Sequence, residues 1–348
     1  MTIHPNNLQY LIDQAAALPA LRVAVVDASQ PVVIETLREA QSLGIVEPWL
    51  VGEPGAICAA CARLGWDPGE RIVAATDDAE AAARAVAMAR AGTVDAIMKG
   101  DIHTDLLMHA LLDSAHGLRP PGRRVSHVFV VDVATYPKLF GITDAAINIS
   151  PDLNAKAQIL QNAIDLFHLL GVEQPKVAVL SAIETVNPAV LSSVDAACLT
   201  LMARRGQING ALVDGPLAFD NAISLRAARA KGIDSPVAGD ADILLVPDFV
   251  SGNILAKDLE YLANAVVAGI ALGLAVPVVL TSRADPGPAR LASLAIAALI
   301  HHRGAKDPTR IRPTEASLPS APQPECACCP VPSTAEGRQK LSNLRPGT

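Results

Sequence analysis

The chain has 348 residues, enough for about two domains of ordinary size. Hydrophobic residues make up 51% and charged residues 18%, at a mean hydropathy of +0.32, which excludes a largely disordered chain or a collagen-like or coiled-coil fibre. A net charge of −7 argues against a general nucleic-acid binder.

The N-terminal MTIHPNNLQYLIDQ has neither the basic region nor the apolar stretch of a secretory signal, so the expected compartment is the cytoplasm. Apolar runs suited to buried strands lie at 22–28, 48–52, 71–75, 96–99, 128–133, 145–149, 176–182, 210–214, 242–247 and 277–282. Cys58 and Cys61 fall in ICAACARLG, which reads as helix, so this CxxC lacks the strand-to-helix setting of a redox motif. Asp77, Asp78 and Glu80 place carboxylates in the first turn of a further helix, where they complement its dipole. In KAQILQNAIDLFHLL (156–170) apolar residues recur at i, i+3, i+4 on one face, and Gly171 closes that helix. The stretch 262–280 is long enough to span a membrane, but Asn264 lies inside it and Pro277 breaks it. It reads instead as a helix over 258–273, a turn, and a strand over 276–281. Residues 305–348 hold eight prolines and almost no apolar periodicity, and are expected to be a disordered tail carrying Cys326, Cys328 and Cys329.

Strands alternating with helices predict an α/β protein with mostly parallel sheets. Five of these strands end abruptly in polar residues: Lys99-Gly100-Asp101, Ser181 to Glu184, Asp214-Gly215-Pro216, Pro247-Asp248 and Thr281-Ser282-Arg283. Ligands of open α/β sheets bind outside the carboxyl ends of strands, so these ends point to a shared cleft for a small anion. Thr281-Ser282-Arg283 combines hydroxyl donors with a guanidinium fork that matches phosphate oxygens, at a strand-to-helix junction. Lys99, His103 and Thr104 form a second, weaker anion-friendly turn, and Arg123, Arg124 and Ser126 a basic approach to the strand at 128–133. There is no GxGxxG, GxxxxGK[ST], HExxH or GxSxG, and no His, Cys and carboxylate grouping at metal-ligand spacing. No metal is expected.

Seven stretches, in order, resemble the phosphate acetyltransferase/phosphate butyryltransferase family. They are MKGDIHTDLLM (98–108), RRVSHVFVVDV (123–133), ITDAAINISPDLNAK (142–156), PKVAVLSAIETVNP (175–188), GALVDGPLAFDNAIS (210–224), KGIDSPVAGDADILLVPDFVSGNILAK (231–257) and PVVLTSRAD (277–285). The chain is also similar to the acyltransferase half of proteins that fuse an enoyl-CoA hydratase-like domain in front of it. The resemblance implies two α/β domains with a cleft between them, as in isocitrate and isopropylmalate dehydrogenases. On this chain domain I is 1–143 plus 271–304 and domain II is 144–270.

The resemblance also implies the reaction acyl phosphate + CoA ⇌ acyl-CoA + phosphate, by direct thiol attack in a ternary complex with no resident cofactor, in a homodimer. Ser282 then donates to the developing oxyanion and Arg283 grips the phosphate. The chain departs from the family pattern at the base. Members with the SRG form carry an acid six residues beyond the arginine, where this chain has Ala289. Asp285 is the nearest carboxylate, followed by Asp214 or Asp220; Asp285 is equally suited to cap a helix. Asn253, Lys257 and Asp144 are second-rank cleft candidates. An acetyl donor leads, with a butyryl donor as alternative. A degenerate protein that only binds CoA or acyl phosphate, and a metal-dependent decarboxylating dehydrogenase of similar fold, stand as further readings.

Overall fold

The computed structural model describes residues 5–282 and 284–306. Arg283 and the proline-rich segment beyond 306, with its three cysteines, lie outside the described residues. In chain order the first part runs α1 (Leu8–Ala16), β1 (Leu21–Val26), α2 (Pro31–Ser42), β2 (Val46–Gly52), α3 (Pro54–Arg63), β3 (Ile72–Ala74), α4 (Asp78–Arg90), β4 (Ala96–Lys99) and α5 (Thr104–Leu112). Next come β5 (Ser126–Asp132), β6 (Phe140–Thr143), α6 (Leu153–Leu169), β7 (Lys176–Leu180), α7 (Leu191–Arg204), β8 (Leu212–Leu217), α8 (Phe219–Ile223) and α9 (Leu225–Ala230). The last are β9 (Ile243–Leu245), α10 (Phe249–Leu262), β10 (Val266–Leu272), β11 (Val278–Val279) and α11 (Gly287–Lys306). The helix starts follow capping chemistry: the side chains of Asp77, Asp152 and Asp248 each accept a first-turn N–H of α4, α6 and α10.

All eleven strands join one sheet in the order β3-β2-β1-β4-β11-β10-β5-β6-β9-β7-β8. The two flanks, β3 to β11 and β6 to β8, are parallel within themselves. Between them β11–β10, β10–β5 and β5–β6 pair antiparallel. Strand direction therefore reverses from one flank to the other. One face carries a continuous apolar core under α1, α2, α3, α6, α7 and α11. On the opposite face the core divides. Ala81 to Ala89 of α4 and Leu107 and Leu111 of α5 cover one flank, and Ala222, Ala228 and Ala256 of α8 to α10 cover the other. The gap between these two clusters is the room for a site.

Two sequence expectations are corrected. Residues 145–149 are not a strand. Their apolar look conceals a loop in which Asp144 Oδ1 accepts the N–H groups of Ala146 and Ile147, both at 2.9 Å, ending the strand that actually occupies 140–143. The helix expected over 258–273 is the end of α10 followed by β10. Asn264, at φ 53°, closes the helix, and Val266-Val267 begins a buried strand. Among the described residues no helix is long and apolar enough to cross a membrane.

On the continuous face, burial pushes the Asp165 carboxyl of α6 up to about 7, against the opposing pull of Gln161 and Arg123. The folded state thus holds this proton at pH values where the unfolded chain has released it, and stability falls as pH rises between about 4 and 7. Asp165→Asn is expected to stabilise the protein by up to about 4 kcal/mol at pH 8 and by little at pH 4. Urea denaturation of the two proteins at both pH values checks this; equal gains at both would contradict it.

Candidate active site

The gap on the divided face is a cleft of about 450 Å³. Its floor is Phe129 of β5, and its walls come from the ends of four strands. Lys99 closes β4, with His103, Thr104 and Asp105 beyond it; Leu280, Thr281 and Ser282 follow β11; Ala146 follows β6; and Phe249, Asn253 and Lys257 of α10 follow β9. Thr104 and Phe249 are the first residues of α5 and α10, so two helix N-termini, each with a partial positive charge, border one space. His103 at the cap of α5 makes no side-chain capping bond.

Three glycines make this close packing possible. A Cβ on Gly100 would lie 2.2 Å from the Asp27 carbonyl oxygen, so the turn after β4 can meet the turn after β1 only without a side chain. A Cβ on Gly252 would lie 2.6 Å from Val246 Cγ2, and its absence seats α10 on the ends of β6 and β9. Gly269 leaves space for the Leu280 carbonyl and the ring of His127. His127, two residues before Phe129 on the same face of β5, is fully buried, edge-on to Phe129 with ring centroids 4.4 Å apart, and burial pushes it down to about 4. It is neutral at physiological pH.

The segment after β11 is held from below. Asp285 is buried, and its Oδ2 accepts the Ser282 N–H at 2.7 Å. Burial raises the Asp285 carboxyl above the ordinary range, with the Ser282 N–H opposing. Asp285 and Ser282 share a narrow recess with Phe129, Asn253, Lys257 and Glu260 at the base of the cleft. Arg290, completely buried in α11, ties the same segment from behind. Its Nη2 donates to the Ser282 carbonyl at 2.9 Å, Nη1 to Thr281 Oγ1 at 3.2 Å and Nε to the Asp285 carbonyl at 3.2 Å. The side chain of Ser282 itself is exposed to the cleft.

The structure thus brings together Lys99, His103, Thr104, Asn253, Lys257, Thr281, Ser282 and Asp285. It sets the remaining sequence candidates elsewhere. Ser126 is buried on the opposite face, where Asn162 Nδ2 donates to its hydroxyl at 2.8 Å. Arg124 lines a second pocket beyond α5 and donates to Asn148 Oδ1 at 3.0 Å. Asp214 turns back on its own strand to accept the Gly215 N–H at 2.9 Å. Asp220 is exposed and pairs with Lys231 at 3.1 Å, beside Glu184. The ends of β7 and β8 do not line the cleft, because they lie at the far edge of the flank whose strand direction is reversed. Asp144 is buried under the cleft wall and accepts the His127 N–H at 3.0 Å.

A strand-end serine over a buried carboxylate, between two helix N-termini, is a setting for acyl chemistry on an anionic donor. Residues 70–298 match the family described as phosphate acetyl/butaryl transferase. The chain belongs to this family. It is 53% identical over 262 residues to a phosphate acetyltransferase of Rhizobium meliloti, covering 75% of this chain and 83% of that one. It is 40% identical over 280 residues to a phosphate butyryltransferase of Clostridium acetobutylicum, covering 80% and 93%. The crystal structure of a branched-chain phosphotransacylase from Enterococcus faecalis V583 superposes with a TM-score of 0.70 at 32% identity, covering 81% of this chain and 99% of that chain.

Within this family frame, the position where SRG-form members carry an acid is accounted for. Ala289 is only 1% exposed, packed in the first turn of α11, where a carboxylate would lose its water. Asp285 stands one turn earlier and reaches the recess instead. Arg290 was not among the sequence candidates. Its signal was an arginine opening the apolar run LASLAIAALI, a place where only a fully bonded guanidinium is tolerated. Arg290→Met removes three hydrogen bonds and leaves their acceptors buried. It is expected to cost about 3 kcal/mol in denaturant unfolding, with Arg290→Lys recovering only part. An unchanged unfolding midpoint in Arg290→Met would contradict this.

Proposed function

We propose that the protein catalyses the reversible transfer of an acetyl group between acetyl phosphate and CoA, by direct attack of the thiol on the acyl carbonyl. The observation that carries this reading is the Thr281–Ser282 turn, which opens into the cleft above a buried carboxylate and is locked by Arg290. In this mechanism Asp285 takes the thiol proton as sulfur bonds to the carbonyl carbon. A free thiol is mostly protonated at neutral pH, and a carboxylate raised by burial is a better matched base than an exposed one. The carbonyl π electrons move to oxygen, which Ser282 Oγ stabilises as a donor. The carbonyl re-forms, the C–O bond to phosphate breaks, and phosphate leaves with that electron pair.

The departing phosphate is held by Lys99, by the N-termini of α5 and α10, and by Thr281, with Arg283 assigned to it by family resemblance. His103, Thr104, Asn253 and Lys257 complete the substrate walls. The chemistry draws on protein groups and CoA, with no resident cofactor. The division into two lobes, 1–143 with 271–304 and 144–270, rests on the family resemblance. A homodimer in the cytoplasm completes the reading.

The test is thioester formation from CoA and acetyl, propionyl or butyryl phosphate. Acetyl phosphate is expected to give the highest kcat/KM. Activity highest with butyryl phosphate would move the protein to the butyryl branch, and silence with all three would sink the transfer reading. Ser282→Ala is expected to lower kcat by about 10²-fold or more. Asp285→Asn is expected to lower it by about 10²- to 10⁴-fold and to abolish the rise of kcat/KM with pH that deprotonation of Asp285 produces. A variant with full activity and the same pH profile would exonerate Asp285.

A further inference from the structure

The cleft accounts for the thiol and the acyl phosphate, but CoA also carries a diphosphate and a 3′-phosphate. A second pocket, of about 330 Å³, lies at the other end of α5. Three arginines line it, Arg119, Arg123 and Arg124, with Asn148 and Gln158, and no acidic residue does. Nε of Arg123 and Nε of Arg124 are both buried with no hydrogen-bond partner, an expensive arrangement unless a ligand supplies acceptors. Arg124 is held in place by its bond to Asn148. Burial lowers the Arg123 guanidinium below its ordinary value, and the one acid acting on it, Asp165, opens on a neighbouring cavity and is itself pushed up to about 7. The pocket is therefore a concentration of cationic donors without an internal counter-charge.

Its position relative to the cleft is fixed by two shared walls. Helix α5 runs from Thr104 in the cleft to Leu112 in the arginine pocket, nine residues, or about 12 Å of axis. The loop after β6 places Ala146 in the cleft and Ile147 and Asn148 in the pocket. An extended molecule with a reactive end and a polyanionic end, joined by a flexible arm, fits this pair of sites along one side of α5.

Resting on the acyl-transfer reading above, we propose that Arg119, Arg123 and Arg124 bind the 3′-phospho-ADP end of CoA while its thiol lies at Ser282. The guanidinium forks take the phosphate oxygens, and Gln158 and Asn148 are placed for the remaining polar edges. The pocket sets affinity for CoA and leaves the chemistry to the cleft. The loss from its variants therefore falls on KM for CoA.

The test compares CoA with dephospho-CoA, which lacks only the 3′-phosphate, in the full-length protein and in Arg119→Gln and Arg123→Gln. The native protein is expected to show a KM at least tenfold higher for dephospho-CoA. The variants raise KM for CoA about tenfold, leave KM for acetyl phosphate in place, and bring the two cofactors closer together. Calorimetric titration with adenosine 3′,5′-bisphosphate reads the same pocket without turnover. Binding that the variants lose supports the proposal even if no acyl transfer is found, and active variants with unchanged KM for CoA overturn it while leaving the transfer reading intact. Equal binding of inorganic phosphate and the bisphosphate nucleotide would show a simple anion site and overturn the CoA assignment.

Discussion

The reversal of strand direction in the middle of the sheet is the constraint on which the rest of the molecule depends. Two parallel flanks of opposite sense can share one sheet only through antiparallel pairs, and β10, β5 and β6 supply them. Their side chains alternate between faces. Val128, Val130, Ala268 and Ile270 complete the continuous core on one side, while Phe129, Val131 and Val267 face the divided side. The reversal gives α4 and α5 one flank to cover and α8 to α10 the other. The cleft is the space these two sets of helices leave between them.

The proposed chemistry sits where buried side chains tie the chain after β11. Leu280, Thr281 and Ser282 after β11 wall the cleft, and the apolar length of α11 is buried in the continuous core. Arg290 spans the junction, fixing Thr281 and Ser282 by their oxygens, while Asp285 fixes the Ser282 N–H. A buried guanidinium is costly unless its donors are used, so its retention here converts core stability into a defined geometry at the cleft. Gly269 follows a packing rule nearby: a side chain there would meet the Leu280 carbonyl and the His127 ring.

Much of this was legible in the sequence. The alternation of strands and helices, the first-turn carboxylates of α4, the apolar face of α6 and the polar ends of β4, β9 and β11 all follow from local pattern and hold in three dimensions. What was not legible has physical reasons. β10 hides in an Ala- and Gly-rich run whose composition suits helix equally well, and only Asn264 marks the break. β6 is four residues long, and the apolar residues after it drew attention to a loop. Strand ends look alike in sequence whichever way the strand runs, so Asp214 reads as a cleft residue although it lies on the far flank. Arg290 was hidden because two of its described partners are backbone carbonyls, which carry no sequence signature.

The central claim is that substrates meet over the antiparallel middle, and amide hydrogen exchange on the intact protein, with and without CoA and phosphate, addresses it most directly. Bound substrates should slow exchange in 100–105, 249–257 and 280–285, the segments that wall the cleft. Protection confined to 181–184 and 219–231, at the ends of β7 and β8, would place the site on the far flank and contradict the account.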